Sequence, residues 1–143
     1  MKYISTTFML AAILFSTAFS ITVAASDKVV VIVHKDNTNV VDKQMIVKIY
    51  TGAVKSWPDG TPVFALDQAN NSSARSEFYA DVIGKSKVTM RAIWAQNIFS
   101  GRGLPPKLVE PDEEMKKLVS SNKNAVGYIL SSSVDDSIKV INP

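Results

Sequence analysis

The stretch Gln68 to Tyr79, QANNSSARSEFY, gathers hydrogen-bond donors around what the pattern reads as a helix start. Asn71 offers an amide, Ser72 and Ser73 a hydroxyl each, and Arg75 a guanidinium fork matched to an oxyanion. A helix start adds backbone N–H groups without intrahelical partners and a partial positive charge. Small residues as far as Ala74 let a ligand approach those amides. Together the pieces predict an oxyanion cradle over Asn71, Ser72, Ser73, Ala74 and Arg75 that uses no P-loop lysine. A plainer reading stands beside it. Ser72 or Ser73 caps the helix, Asn70-Asn71 makes a turn, and Arg75 pairs with Asp67, Glu77 or Asp81 or lies in solvent.

Other residues with chemical potential are fewer. Tyr128 follows Gly127 in a strand-like segment, and its hydroxyl is a candidate for the rim of the cradle; Arg102, in the loop GRG, is another. Trp57 is expected to pack over a helix–turn junction and Trp94 to lie on the apolar face of its helix. Glu110, Asp112, Glu113 and Glu114 read as acids placed for a helix dipole rather than as catalytic carboxylates. With no cysteine and one histidine, His34, thiolate or histidine-cluster metal sites are not expected, and no nucleophile has a base beside it. The expectation is a protein that is not an enzyme and carries neither metal nor cofactor.

The elements that must position the cradle follow from pattern. Lys28–His34, KVVVIVH, is a β-branched run of the kind buried on both faces of a sheet. Val41, Met45, Ile46, Ile49 and Tyr50 recur on one helical face, with Gly52 as the stop. WPDGTP is a turn and PVFALDQ a second strand. A helix is predicted over Ala74–Ile83, ended by Gly84. Another follows the cap Ser86, with Val88, Ile93, Trp94, Ile98 and Phe99 at helical spacing and Gly101 at its end. LPPKLVE is extended and exposed, a candidate partner contact. PDEEMKKLVSSN is helical, and AVGYILS and IKVI close the chain as strands. Alternation of strands and helices predicts an α/β fold, a mixed, mostly parallel sheet covered by helices. Ligands on such sheets sit beyond the carboxyl ends of strands, the position the cradle occupies.

The first residues carry a different signal. A basic start, the apolar run FMLAAILFSTAFS and small residues up to Ala25 describe a signal peptide over 1–25, leaving a mature domain over 26–143 that is periplasmic or secreted and not inserted in a membrane. Loss of Lys2 with this leader lowers the formal charge of +3 by one unit, which speaks for neither nucleic acid nor a membrane surface as partner.

Three blocks in this order carry a family resemblance. IYTGAVKSW (Ile49–Trp57) resembles the Ile-Phe-x-Gly-x-Ile-x-x-Trp block of periplasmic phosphate-binding proteins. NSSARSEF (Asn71–Phe78) is similar to their Asp-Ser-Gly-Thr-Arg-x-x-Phe, and NAVGYI (Asn124–Ile129) to their Ala-Ile-Gly-Tyr block. In the motif itself Ser73 stands where the family has glycine and Ala74 where it has threonine. The resemblance implies one lobe of the two-lobed periplasmic-binding-protein fold. It also implies reversible binding of phosphate or a similar oxyanion, with Ser72 as hydroxyl donor and Arg75 as cation, and a link to phosphate ABC transport. A protein partner or a homodimer would complete the cleft. The rival expectation is a non-catalytic adaptor or structural envelope protein that kept the fold and lost the ligand.

Overall fold

The computed structural model describes residues 27–141, so the predicted leader over 1–25 lies outside the described residues. Five strands, β1 (Val29–His34), β2 (Phe64–Asp67), β3 (Lys107–Leu108), β4 (Ala125–Leu130) and β5 (Ile138–Ile141), form one sheet in the order β3-β2-β4-β1-β5. β2 runs parallel to both β3 and β4, while β1 is antiparallel to β4 and β5. Four strands therefore share a direction and β1 opposes them, the mixed, mostly parallel sheet that the pattern predicts.

Both faces are covered, which is why β1 and β4 read as nearly unbroken apolar runs. Successive side chains point to opposite sides of a strand. Val31 and Val33 accordingly join Val126 and Tyr128 in a core with Ile46, Ile49, Tyr50 and Phe78. Ile32 and Ile129 join Leu66, Met115, Val119 and Ile138 in a second core. The first core is covered by α1 (Lys43–Tyr50), α2 (Ser73–Glu77) and α3 (Lys87–Phe99); the second lies under α4 (Asp112–Ser121). Phe78 stacks on Tyr128 with ring centroids 3.9 Å apart and meets the edge of Tyr50 at 4.7 Å.

Local signals set the helix ends. The Asp42 carboxylate accepts from the Met45 amide and Ser86 accepts from Thr89, each satisfying one open N–H. Gly52 follows α1 at φ 75°, where an added Cβ would also lie 2.8 Å from the Trp94 ring. No side chain fits there without displacing the indole.

Two expectations change. The helix predicted over Ala74–Ile83 is α-helical only to Glu77 and continues as a π-helical turn, Phe78–Ile83, that buries Phe78, Tyr79 and Ile83 before Gly84 ends it. The inner face of α3 is Met90, Ile93, Trp94 and Asn97, at i, i+3, i+4 and i+7. Val88, Ile98 and Phe99 fall off that stripe and are exposed, Phe99 at 93%. Only the inner stripe meets the core.

Candidate functional site

β2 ends at Asp67, and the chain passes over its carboxyl end through Gln68–Ser72 into α2. The loop thus sits where ligands bind in α/β sheets. Its backbone closes on itself, the Ser72 amide donating to the Ala69 carbonyl at 3.1 Å. Ser72 is the helix cap: its hydroxyl oxygen accepts from the Arg75 amide at 3.2 Å and donates to Gln68 Oε1 at 2.5 Å. Of the two serines left open by sequence, the cap is therefore Ser72. Ser73 and Asn71 are exposed, while Ala74 is buried. Among the described residues the amides of Ser73 and Ala74 donate to no acceptor, as expected for a first helical turn.

Arg75 has a partner within the chain. Its Nη2 lies 2.8 Å from Asp67 Oδ2, and Nη1 donates to Asn70 Oδ1. Of the alternatives, the Glu77 carboxylate accepts from the Val29 amide at 3.0 Å, and neither Glu77 nor Asp81 forms an ion pair with Arg75 among the described residues. Asp67 is 2% exposed, and helix, loop and sheet together satisfy it. It also accepts from the Tyr79 hydroxyl at 2.5 Å, from the Tyr128 hydroxyl, and from the Gln68 amide at 2.9 Å. A buried carboxylate demands such company, because its charge has lost water.

This network fixes protonation states. Burial first, and then the Asp67 charge, push the phenols of Tyr79 and Tyr128 well above the usual tyrosine value, so both donate as neutral hydroxyls. Burial acts to lower the Arg75 pKa, but the bond to Tyr79 and the charge of Asp67 outweigh it and hold the guanidinium above its ordinary value. Arg75 and Asp67 thus neutralise each other. One donor is left over: Arg75 Nε–H is buried with no acceptor among the described residues.

Tyr128 corrects its expected place at the rim. It is fully buried beneath the loop, where it holds Asp67 and accepts from the Gln68 amide at 3.0 Å. Arg102 also lies elsewhere, lining a separate cleft with Lys55 and Lys107. In place of these two, α3 brings up Lys87 and Arg91. With Asn70, Arg75 and Tyr79 they line a cleft of about 330 Å³ that no carboxylate enters. Of the predicted cradle only Arg75 lines it, while Asn71, Ser72, Ser73 and Ala74 do not, and the Ser72 hydroxyl donates to Gln68 instead. Lys87 Nζ donates to the Asn70 carbonyl at 2.9 Å, tying α3 to the loop. The Arg75–Tyr79 and Lys87–Arg91 spacings of four residues each put the pair on one helical face. That signal was readable; the meeting of the two helices was not.

Trp57, as expected, is buried, and its indole donates to the Asn124 carbonyl at 3.1 Å. Trp94 is only half-buried; its Nε1–H donates to the Tyr50 carbonyl at 3.0 Å, and its ring lines both clefts. Asp112 holds Gln68 Nε2 at 2.9 Å and the Leu130 amide at 3.2 Å, so this acid at the start of α4 anchors the loop from behind.

No family model matches the chain, and no curated protein matches it. Solved structures do. A protein from Clostridium perfringens described as a phosphate ABC transporter substrate-binding protein, with bound phosphate, superposes with a TM-score of 0.65 at 25% identity. An ABC-type phosphate transport receptor from Vibrio cholerae gives 0.63 at 23%, and PstS from Borrelia burgdorferi 0.60 at 13%. Each match covers 80% of this chain but only 44%, 45% and 46% of the other, so the chain spans less than half the length of these relatives.

Proposed function

Because this chain has the fold of one lobe of the phosphate-binding proteins, we propose that it is a non-catalytic solute-binding domain that takes phosphate or a similar oxyanion at the start of α2. The observation that carries this reading is the cleft beside Arg75. Three cations and the Asn70 side chain surround a space without a single carboxylate, beyond the carboxyl end of β2. The amides of Ser73 and Ala74 open α2 without an acceptor among the described residues.

The division of labour differs from the one the motif suggests. Arg75, neutralised by Asp67, supplies geometry and hydrogen bonds. The net positive charge comes from Lys87 and Arg91. A site open to water gains little per charge, and association entropy of several kcal/mol opposes it, so affinity for a lone lobe is sub-millimolar at best. A protein partner or a second copy closes the open side. On this reading the domain is exported, periplasmic or secreted, and works with a phosphate ABC transporter.

Calorimetric titration with phosphate and with sulfate tests it, together with amide shifts in a ¹⁵N spectrum. Saturable shifts at Ser73, Ala74 and Arg75 are expected, weakened in Lys87→Ala and Arg91→Ala. No shift at millimolar phosphate refutes the reading. One observation favours a second reading, an adaptor domain that kept the fold without the ligand: the guanidinium that the motif would offer to an anion is held by Asp67 at 2.8 Å. A silent titration together with a stable partner recovered from envelope extract selects that alternative.

A further inference from the structure

A second cleft, of about 380 Å³, lies between the α1–β2 connection, the start of β2, α3 and the loop that leads into β3. Its walls are fixed before any ligand arrives. The Trp94 indole is held by its bond to the Tyr50 carbonyl and by contact with Gly52. The loop Arg102–Lys107 is tied at one end by the Arg102 amide, which donates to the Asn97 carbonyl at 2.8 Å, and at the other by pairing of Lys107 with Leu66. Pro105 and Pro106 stiffen it between those ties. Across the cleft the Val63 amide donates to the Lys55 carbonyl at 2.9 Å and closes the opposite loop.

The lining is chemically divided. Ile49, Val54, Val63, Trp94, Leu104 and Pro106 give an apolar body. Lys55, Arg102 and Lys107 are its only charged residues; none pairs with a carboxylate among the described residues, and the Lys55 stem runs 3.6 Å from where a Cβ on Gly103 would lie. A preformed, largely apolar space with a few convergent polar groups is the usual character of a small-molecule site. Apolar walls beside lysines favour a ligand that can bury apolar surface as well as present a negative charge. We propose that this cleft binds a small amphipathic organic anion: a flat apolar or aromatic body lying along the Trp94 indole, with one anionic group held by Lys55 and Lys107. The site adjoins the anion cleft beside Arg75 at Trp94 and Pro105 but draws on different cations, so it does not depend on that cleft being occupied.

The probe is 2-naphthoate, with neutral 2-naphthalenemethanol as its control, followed in ¹⁵N spectra of the purified protein. Naphthoate is expected to give saturable, one-to-one shifts at the amides of Lys55, Gly103 and Leu104 and at the Trp94 indole N–H. The Trp57 indole, buried and bonded to Asn124, should not move. The double variant Lys55→Ala/Lys107→Ala should weaken naphthoate roughly 5-fold or more, the scale of two exposed charge contacts, and leave the alcohol unchanged. Both lysines are exposed, so the fold is not at risk. Absence of saturation at low millimolar naphthoate overturns the proposal. Equal affinity for the neutral alcohol, or an unweakened double variant, does the same. Phosphate is read at Ser73 and Ala74, so either site can fail without the other.

Discussion

Asp67 is the residue on which the site turns. It sits at the end of β2 with four donors on its two oxygens, the Arg75 guanidinium, two tyrosine hydroxyls and one amide. Asp67→Asn removes the charge and leaves Arg75 uncompensated, and breaking such a buried pair costs about 3–5 kcal/mol. Urea denaturation at neutral pH measures it, and a loss below about 1 kcal/mol would place the pair among ordinary surface ion pairs. The tyrosines give a pH signature. Burial raises Tyr50, Tyr79 and Tyr128 above the ordinary value of about 10. The folded state thus holds these protons more tightly than the unfolded chain, so their contribution is complete below about pH 10 and declines as pH climbs past it. Ultraviolet titration should find no tyrosinate from these three residues near pH 10. Their absorbance should appear only together with loss of the fold.

At the scale of elements, the approach of loop, helix and strand is set by small contacts. Ser72→Ala removes the cap of α2 and the bond to Gln68 at once. A lost cap alone costs about 0.5–2 kcal/mol. Thermal melting should detect this, while Ser73→Ala, at an exposed position, should leave stability unchanged within about 0.5 kcal/mol. Gly127 shows the same economy between α4 and the sheet. A Cβ there would lie 2.5 Å from Met115 Sδ, and Met115 is fully buried. Gly127→Ala forces α4 outward and should destabilise by about 1–3 kcal/mol, the usual cost of overpacking a core. Denaturation with an unchanged m-value is the expected form of that loss. The glycine of the NAVGYI block therefore serves helix–sheet packing.

Across the whole molecule, charge and apolar surface are unevenly distributed. Two clefts meet at Trp94 and Pro105, and their charged linings are cationic throughout, three residues in each. Anion binding in either should weaken with added salt, since exposed charges are screened over about 10 Å at 0.1 M. A titration between low and moderate sodium chloride should show phosphate affinity falling severalfold, and a salt-independent affinity would point to a desolvated site instead. Ile98, Phe99 and Leu104 stand exposed on the same side of the sheet as these clefts, at the end of α3 and just beyond it. The relatives extend beyond this chain by more than half their length.

Much of this was legible in the sequence because its causes are local. Burial on both faces leaves β1 without polar alternation; Ser86 announces itself as a cap; glycines at Gly52, Gly84 and Gly101 stop helices at positive φ. Each depends on residues within a turn or two, so the α/β order and the helix-start position of the loop were readable. The partner of Arg75 was not. Sequence left three carboxylates and an anion open, and only the fold brought Asp67, Tyr128 and the guanidinium to one point. The same holds for Lys87, which reaches Asn70, and Arg91, which lines the same cleft, because α3 crosses beside the end of β2. Periodicity reports which face of an element is apolar. What two elements do to each other's charges depends on where packing sets them, and that is decided by the core as a whole.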